Sequence, residues 1–440
     1  MFIFTTEKKM MKPRLFIIAL VSIFIAIPLY GQNEAFFLGT VSGVGGRALS
    51  MGSAYVAIAD DYSATMWNPA GLTQLRRMEL FASISHLQFE NEAFSEGNSM
   101  TDKTTKTKLN SIGFAFPIPT YRGSMVFAVG YNKVRSFDGG FSFGGFNELE
   151  SVRAHQMYNE VEEGDMANWV FSGAIQVTPN LSVGGALNLW RGENNYNWSL
   201  MEEDRLDEWY YHTFDYTQQI TTNFSATNVK LGALYQLGFL GRVAATVSTP
   251  IKINAKEKWS EYSKQIEDDD SPYDDYEDSE TGKWDYGIKS SWQFSAGAAL
   301  TLLPNIVISA DLEYNDWSQM RYTSEPPVSN QYRKNLDFKQ NFQPTATIRL
   351  GGEFTVPLIN TQLRAGAIRQ PSPLKDASEK ADRNFLTLGC GILLDKQVKL
   401  DVAYVRGWWE REGTYLSEYF DNISETIKVD KIYATMSIRF

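Results

Sequence analysis

The sequence predicts an all-β fold, a transmembrane antiparallel β-barrel of about fourteen strands, and three observations carry that expectation. Residues 78–440 divide into strand-length segments of alternating polarity. Their connections alternate between short and long, and the chain ends on an aromatic residue, Phe440. The short connections centre on 117–122, 178–180, 238–241, 303–305, 356–361 and 395–397. The long ones fall roughly at 91–106, 137–165, 200–212, 261–283, 318–335, 371–383 and 410–424. A soluble sheet protein has no reason to sort its loops by side, whereas a chain threaded through a bilayer does. A two-sheet soluble sandwich also alternates in polarity, but it explains neither the sorted loops nor an export signal.

Residues 1–31 read as that signal, a secretory signal peptide. Lys8, Lys9, Lys12 and Arg14 precede an apolar run over 15–29 and the small residue Gly31. About 15 apolar residues fall short of the ~20 that a spanning helix needs. No comparable run follows, so any span in the mature chain is built from strands, whose lumenal faces keep the hydropathy low. The mean hydropathy of −0.29 fits that. Loss of Glu7 with the four cations takes the net charge from −11 to −14, which disfavours nucleic acid as a partner. A single cysteine, Cys390, excludes intramolecular disulfides. By parity with Leu388 and Ile392 it faces lipid. Trp169, Trp190, Trp259, Trp284, Trp317, Trp408 and Trp409 stand near strand ends beside long loops, where an amphipathic ring suits a membrane interface.

The strand period is cleanest over 306–315, where Ile306, Ile308, Ala310, Leu312 and Tyr314 oppose Val307, Ser309, Asp311, Glu313 and Asn315. Over 345–354, Ala346, Ile348, Leu350 and Phe354 oppose Thr345, Thr347, Arg349 and Glu353. In the last strand Ile432, Ala434, Met436, Ile438 and Phe440 oppose Lys431, Tyr433, Thr435, Ser437 and Arg439. Its Tyr433, Ile438 and terminal Phe440 resemble the signal read by the barrel-assembly machinery, without the glycine common there.

Ahead of the barrel (78–440), residues 32–77 lack sustained alternation but are dense in glycine, alanine and serine, which permits close backbone packing. In Asn68-Pro69-Ala70-Gly71 the proline fixes one dihedral and the glycine frees another, so a turn or helix start is expected. A fourteen-stranded barrel has a lumen too wide for its own side chains, and this segment has the length to plug it. Gly46-Arg47-Ala48, then Gly52, Ala54, Ala57, Ala59-Asp60-Asp61 and Asn68-Pro69-Ala70-Gly71, resembles the N-terminal hatch of the FadL/TodX family of outer-membrane transport proteins. That resemblance implies a hatch-blocked barrel in the outer membrane of a Gram-negative bacterium, embedded in its lipid. It further implies passive uptake of hydrophobic small molecules, long-chain fatty acids or aromatic compounds, with lateral release into the bilayer. Gly46, Arg47, Asn68, Pro69, Ala70 and Gly71 are the matching hatch positions.

The family's third-strand kink would fall in 124–136, where Gly130 is the interior candidate, although a plain strand glycine is the simpler reading. Phe137, Phe141, Phe143 and Phe146 in a glycine-rich loop are candidate first contacts for an apolar ligand. Arg349 and Arg364 face the lumen, as does Lys399, and either meet a ligand carboxylate or pair with Asp311, Glu313, Glu353 or Asp401. No catalytic residue, cofactor or metal is expected. Gly140-Phe141-Ser142-Phe143-Gly144 spells a nucleophile elbow outside the strand-to-helix context it needs, with His86, His155 and His212 the available bases. The dinucleotide-fingerprint lettering of 43–48 has no strand before it and no βαβ unit after it. The acidic run 267–280 lacks the spacing of a calcium loop. The alternative function is a PorV-like component of a protein secretion system that holds secreted client proteins; an open water-filled porin is disfavoured by the plug.

Overall fold

The computed structural model describes residues 43–95, 98–146, 154–207, 211–269, 271, 273–327, 330–359, 361–395, 397–412 and 423–440. The signal peptide read over 1–31 lies outside them. Eighteen strand segments form one sheet. They are β1 (Glu79–Ser95), β2 (Asn98–Ile118), β3 (Met125–Ser136), β4 (Gly139–Phe146), β5 (His155–Gln176), β6 (Leu181–Glu203), β7 (Tyr211–Gln236), β8 (Gly241–Ser248) and β9 (Lys252–Glu267). The remainder are β10 (Tyr276–Lys289), β11 (Gln293–Leu303), β12 (Ile306–Asp316), β13 (Arg321–Tyr322), β14 (Pro344–Val356), β15 (Thr361–Gln370), β16 (Arg383–Leu394), β17 (Val398–Glu412) and β18 (Ser424–Arg439). Four wall strands are interrupted, as β3/β4, β8/β9, β10/β11 and β12/β13, so the wall has fourteen strands. All pairings are antiparallel, and β18 returns to β1 from Glu79↔Arg439 to Phe94↔Ser424, closing the cylinder. Closure leaves neither the first nor the last strand with a free edge, the condition for strands to cross a bilayer.

Among the described residues three α-helices accompany the wall, α1 (Gly46–Ser50), α2 (Ala64–Trp67) and α3 (Gln331–Asn341), with a 3₁₀ turn at Pro69–Gln74. No helix among the described residues is long and apolar enough to cross a membrane. The crossing belongs to the strands.

The wall has two tiers of opposite polarity. Near the six tight turns, Leu80, Ile84, Leu386, Leu388, Ile432 and Met436 are exposed on the outside while Ser83, Thr387, Thr435 and Ser437 are buried inside. Farther along the same strands the faces exchange. In β18, Ile427 and Val429 are buried inward and Lys428 and Asp430 point out; in β6, Tyr196, Trp198 and Leu200 fill the interior. Lipid against the first tier and water against the second produce this reversal from one unbroken side-chain alternation.

The reversal corrects several expected loops. Residues 91–106 are mostly a hairpin, paired up to Ser95↔Asn98. The interval 137–165 contains β4 and the start of β5, and 261–283 is largely β9 and β10. Above the bilayer an apolar outer face no longer marks a strand, so a criterion based on it ends the strand early. The tryptophans divide for the same reason. Trp169, Trp284 and Trp408 are exposed, whereas Trp190, Trp317 and Trp409 are buried and Trp259 packs on an interior cluster. Cys390 is exposed, on the same face as Leu388 and Ile392.

Candidate functional site

Residues 43–77 occupy the bore and are held there mainly through their backbone. Asp311 accepts from the amides of Tyr55 and Val56 at 2.6 and 2.8 Å. Ser309 donates to the Ala54 carbonyl at 2.5 Å, and Thr387 accepts from Gly52 N–H and donates to the Ser50 carbonyl. Thr435 accepts from Gly46 N–H at 2.9 Å, Glu79 from Tyr62 N–H at 2.8 Å, and Lys230 donates to the Met66 carbonyl at 2.6 Å. Short polar side chains on the wall thereby satisfy buried backbone groups of a segment with little regular structure of its own.

Glycines in the wall provide the space. Three pairs stand opposite each other on neighbouring strands: Gly113↔Gly130, Gly184↔Gly232 and Gly351↔Gly366. A Cβ at Gly130 would lie 2.0 Å from the Tyr62 hydroxyl, one at Gly232 2.0 Å from Asn68 Oδ1, and one at Gly366 2.1 Å from the Gly52 nitrogen. The Asn-Pro-Ala-Gly turn sits in the second seat. Asn68 accepts from Ala70 N–H at 3.1 Å, starting the 3₁₀ turn behind Pro69, and donates to the carbonyls of Val56 and Ala233 at 2.9 and 3.2 Å. Gly71 lies so close to Ala59 that a Cβ would meet its carbonyl at 2.1 Å.

Charge fastens α1. Arg47 gives two hydrogen bonds of 2.8 Å to Glu353 on β14 and one of 2.5 Å to Asp60. Glu353 also takes Arg364 at 2.7 Å, which bridges to Asp401 at 2.7 Å, with Lys399 at 3.7 Å from the same carboxylate. Burial alone would push the Asp60 carboxyl up, but Arg47, Lys399 and Arg242 together outweigh it and hold the group well below the usual carboxylate range. Arg349 pairs with Glu313 at 2.9 Å. Arg349 and Arg364 therefore both occupy the lumen in ion pairs.

A cavity of about 210 Å³ lies between this segment and the inner wall. Met66 and Trp67 form part of its lining, with Trp190 and Trp317 from the wall. Two neighbouring wall strands break beside it. Pro250, which has no N–H for the ladder, separates β8 from β9, while Ser290 donates through its amide to the Ile251 carbonyl at 3.0 Å. Beside it an aromatic cluster joins Tyr286, Tyr322 and Phe338 of α3; the Phe338 and Tyr322 rings are 5.8 Å apart. Sequence reasoning missed α3, placed in a loop; its signal was Asn330, whose side chain accepts from Arg333 N–H at 2.9 Å as a helix cap.

The third wall strand is interrupted in a different way. Gly130 sits in regular pairing, between Gly113 and Val170, directly against the Tyr62 hydroxyl. The register instead slips between Lys133 and Arg135, and the strand breaks at Phe137 and Asp138. Beyond the break β4 pairs with β5 and lies across the inner faces of β1 and β2. Asn91 donates to the Gly140 carbonyl at 3.2 Å, and a Cβ on Gly140 would strike Asp102. The pairing between β2 and β3 ends at Ser111↔Asn132. Past that point the seam is bridged by side chains: Lys106 to Glu163 at 2.5 Å, and Lys108 to Asp138 and Asp165 at 2.8 and 3.3 Å.

The expected phenylalanine loop is thus a strand. Phe137 is buried against Phe224 with ring centres 5.8 Å apart, Phe143 is 1% exposed, Phe141 packs on an interior cluster, and Phe146 alone is exposed, beside His155. Ser142 lies mid-strand and donates to Asn159, so no elbow forms. At the chain's end Tyr433 is buried inward, while Ile438 is partly exposed and Phe440 points out and stacks on Phe114 at 6.3 Å.

A family model described as outer membrane protein transport protein (OMPP1/FadL/TodX) matches residues 27–416. No match is found among the curated proteins. The fold is similar to a Pseudomonas aeruginosa FadL homologue (TM-score 0.63, 12% identity, covering 91% of this chain and 98% of that one). It is also similar to the P. putida toluene transporter TodX (0.63, 13%, 91% and 99%). A third likeness is the Ralstonia pickettii toluene transporter TbuX (0.58, 15%, 91% and 99%).

Proposed function

The chain belongs to the OMPP1/FadL/TodX family of outer-membrane transport proteins, and from that premise we propose that it takes up hydrophobic compounds passively, with residues 43–77 as its hatch and the seam beside β2 as its lateral exit. Its place is the outer membrane of a Gram-negative bacterium, and the family is one of transporters, not enzymes. The observation that carries the reading is the third wall strand. Its upper half leaves the wall, so on that side β2 has no ladder partner beyond Ser111 among the described residues, where Leu109 and Ile112 still face outward, and ion pairs replace the ladder above. Side chains can part without breaking a sheet, and the outermost pair, Lys106 with Glu163, is exposed enough to contribute at most about 1 kcal/mol. The bore below is filled, which leaves the wall as the outlet for a solute that prefers lipid to water. Toluene is the first substrate class to test, because two of the similar structures are toluene transporters; long-chain fatty acids are the second.

The test is to lock the seam. In a C390S background, cysteines replacing Lys106 and Glu163 are joined by a short cleavable bis-maleimide, and uptake of labelled toluene and oleate is followed in cells. Uptake stops on cross-linking and returns on cleavage if the seam is the exit. Unchanged uptake would reject the exit, and absence of uptake in the unlocked protein would reject transport. Co-purification of a secreted domain in place of transport would favour the secretion-system role.

A further inference from the structure

The lining of the 210 Å³ cavity is unlike a hydrocarbon pocket. The geometry points to a hydroxylated aromatic carboxylate of about one ring as its ligand, a substrate class that rests on the transport reading above. Size sets the first limit. A dry cavity of about 150 Å³ suffices for benzene, while drug-sized ligands occupy about 300–1,000 Å³, so the space suits a single substituted ring and not a long acyl chain. Three indoles, of Trp67, Trp190 and Trp317, line it and offer flat apolar faces to such a ring.

Charge sets the second limit. Lys230 and Arg349 line it against one carboxylate, Glu313, in a chain whose net charge is −11. Glu313 is engaged by Arg349. The Lys230 ammonium is bound to the neutral Met66 carbonyl, with no carboxylate at ion-pair distance among the described residues. An organic monoanion balances this lining better than a neutral molecule does.

Unmatched polar atoms set the third. Asn168 uses its amide nitrogen on Asn188 at 2.9 Å, but its buried Oδ1 has no protein partner among the described residues. Gln370 Oε1, Ser248 Oγ and Arg349 Nε share that state, and all four residues line the cavity. Two of these atoms are pure acceptors, which a hydrocarbon or a plain carboxylate cannot satisfy. A ring hydroxyl carries one hydrogen and donates to one of them. A site built for a hydroxyl discriminates sharply against an analogue lacking it, because its own buried groups are then left unmatched.

The test measures quenching of indole fluorescence and calorimetric binding on the full-length mature barrel in nanodiscs, with 4-hydroxybenzoate, benzoate, toluene and oleate as probes. The expected order is 4-hydroxybenzoate about tenfold tighter than benzoate, for one matched acceptor, and both tighter than toluene. Asn168→Leu erases the preference for the hydroxyl while leaving benzoate affinity in place, and Lys230→Gln narrows the gap between benzoate and toluene. Should Asn168→Leu fail to assemble, Ser248→Ala replaces it, with a reduced hydroxyl preference expected. Toluene or oleate binding as tightly as 4-hydroxybenzoate, or a hydroxyl preference untouched by the substitution, overturns this inference and leaves the transport reading standing. Binding of none of the four overturns both.

Discussion

Arg47 joins three carboxylate contacts in a place where water is scarce, so its removal leaves charge behind. Arg47→Met strands Asp60 and takes one of two cations from Glu353, which keeps Arg364 at 2.7 Å. Breaking a buried pair from one side costs about 3–5 kcal/mol. The lower end applies here, because 27% of the Asp60 side chain stays exposed and solvent screens part of the interaction. The loss falls on hatch docking and not on the wall, whose ladder is untouched. Proteolysis within 43–77 should accelerate while the barrel keeps its resistance to SDS; equal protection of wild type and variant would refute the assignment. The same pair fixes a pH dependence. Asp60 has its folded pKa depressed, since Arg47, Lys399 and Arg242 together outweigh the upward push of burial. Its contribution is therefore complete above the ordinary carboxylate range, near pH 4, and is lost as pH falls through the lower folded value. Tyr62 runs oppositely. Burial in its glycine seat raises its pKa, so docking is unaffected up to about pH 10 and weakens only above it. A spin label at position 66 should stay immobile across neutral pH and loosen at both extremes; loosening near pH 6 would point to another group.

At the scale of elements, the wall and the hatch meet through glycine pairs. Strand glycine is costly, since it has no side chain to pack and loses the most backbone freedom. Six inward glycines in facing pairs therefore mark close approach. Gly184→Val with Gly232→Val should prevent Asn68 and Pro69 from seating, since each Cβ would fall within 2.6 Å of hatch atoms. Single-channel recordings should show steps absent from the wild type, and an unchanged, closed trace would mean that the seat is dispensable. These pairs were legible in principle. Gly113 and Gly130, or Gly184 and Gly232, are visible as strand glycines, but register across strands is needed before they become pairs, and one sequence does not supply it. The tight turns were legible because glycine, proline and asparagine interrupt lipid-facing alternation there, as at Pro179 and Gly238. The third-strand break was not. Phe137 and Asp138 resemble a loop start, and only the packing of β4 beneath β1 and β2 shows why the strand leaves the wall. For the cavity, Arg349 was legible by parity, but Asn168 and Ser248 were indistinguishable from other polar residues facing the lumen.

On the whole molecule, the two tiers fix the depth of the barrel in the membrane. A bilayer-spanning strand needs about 9–11 tilted residues, yet β6 and β7 extend from Leu181 to Glu203 and from Tyr211 to Gln236. Their surplus stands in water, with aromatic residues turned inward and polar ones outward. Leu388, 58% exposed on the lower tier, should therefore contact lipid, and Gln219 on the upper tier should contact water. Arginine at a lipid-facing midplane position costs about 2–4 kcal/mol, whereas a surface substitution in water usually changes stability by less than about 0.5 kcal/mol. Leu388→Arg and Gln219→Arg, compared by urea unfolding in phospholipid vesicles, should differ by that margin. The contrast should vanish in detergent-free urea, where both sites are hydrated in the unfolded chain, so the difference reports the folded environment. Equal costs at the two positions would place the bilayer elsewhere on the wall, and the seam beside β2 would then no longer open onto lipid.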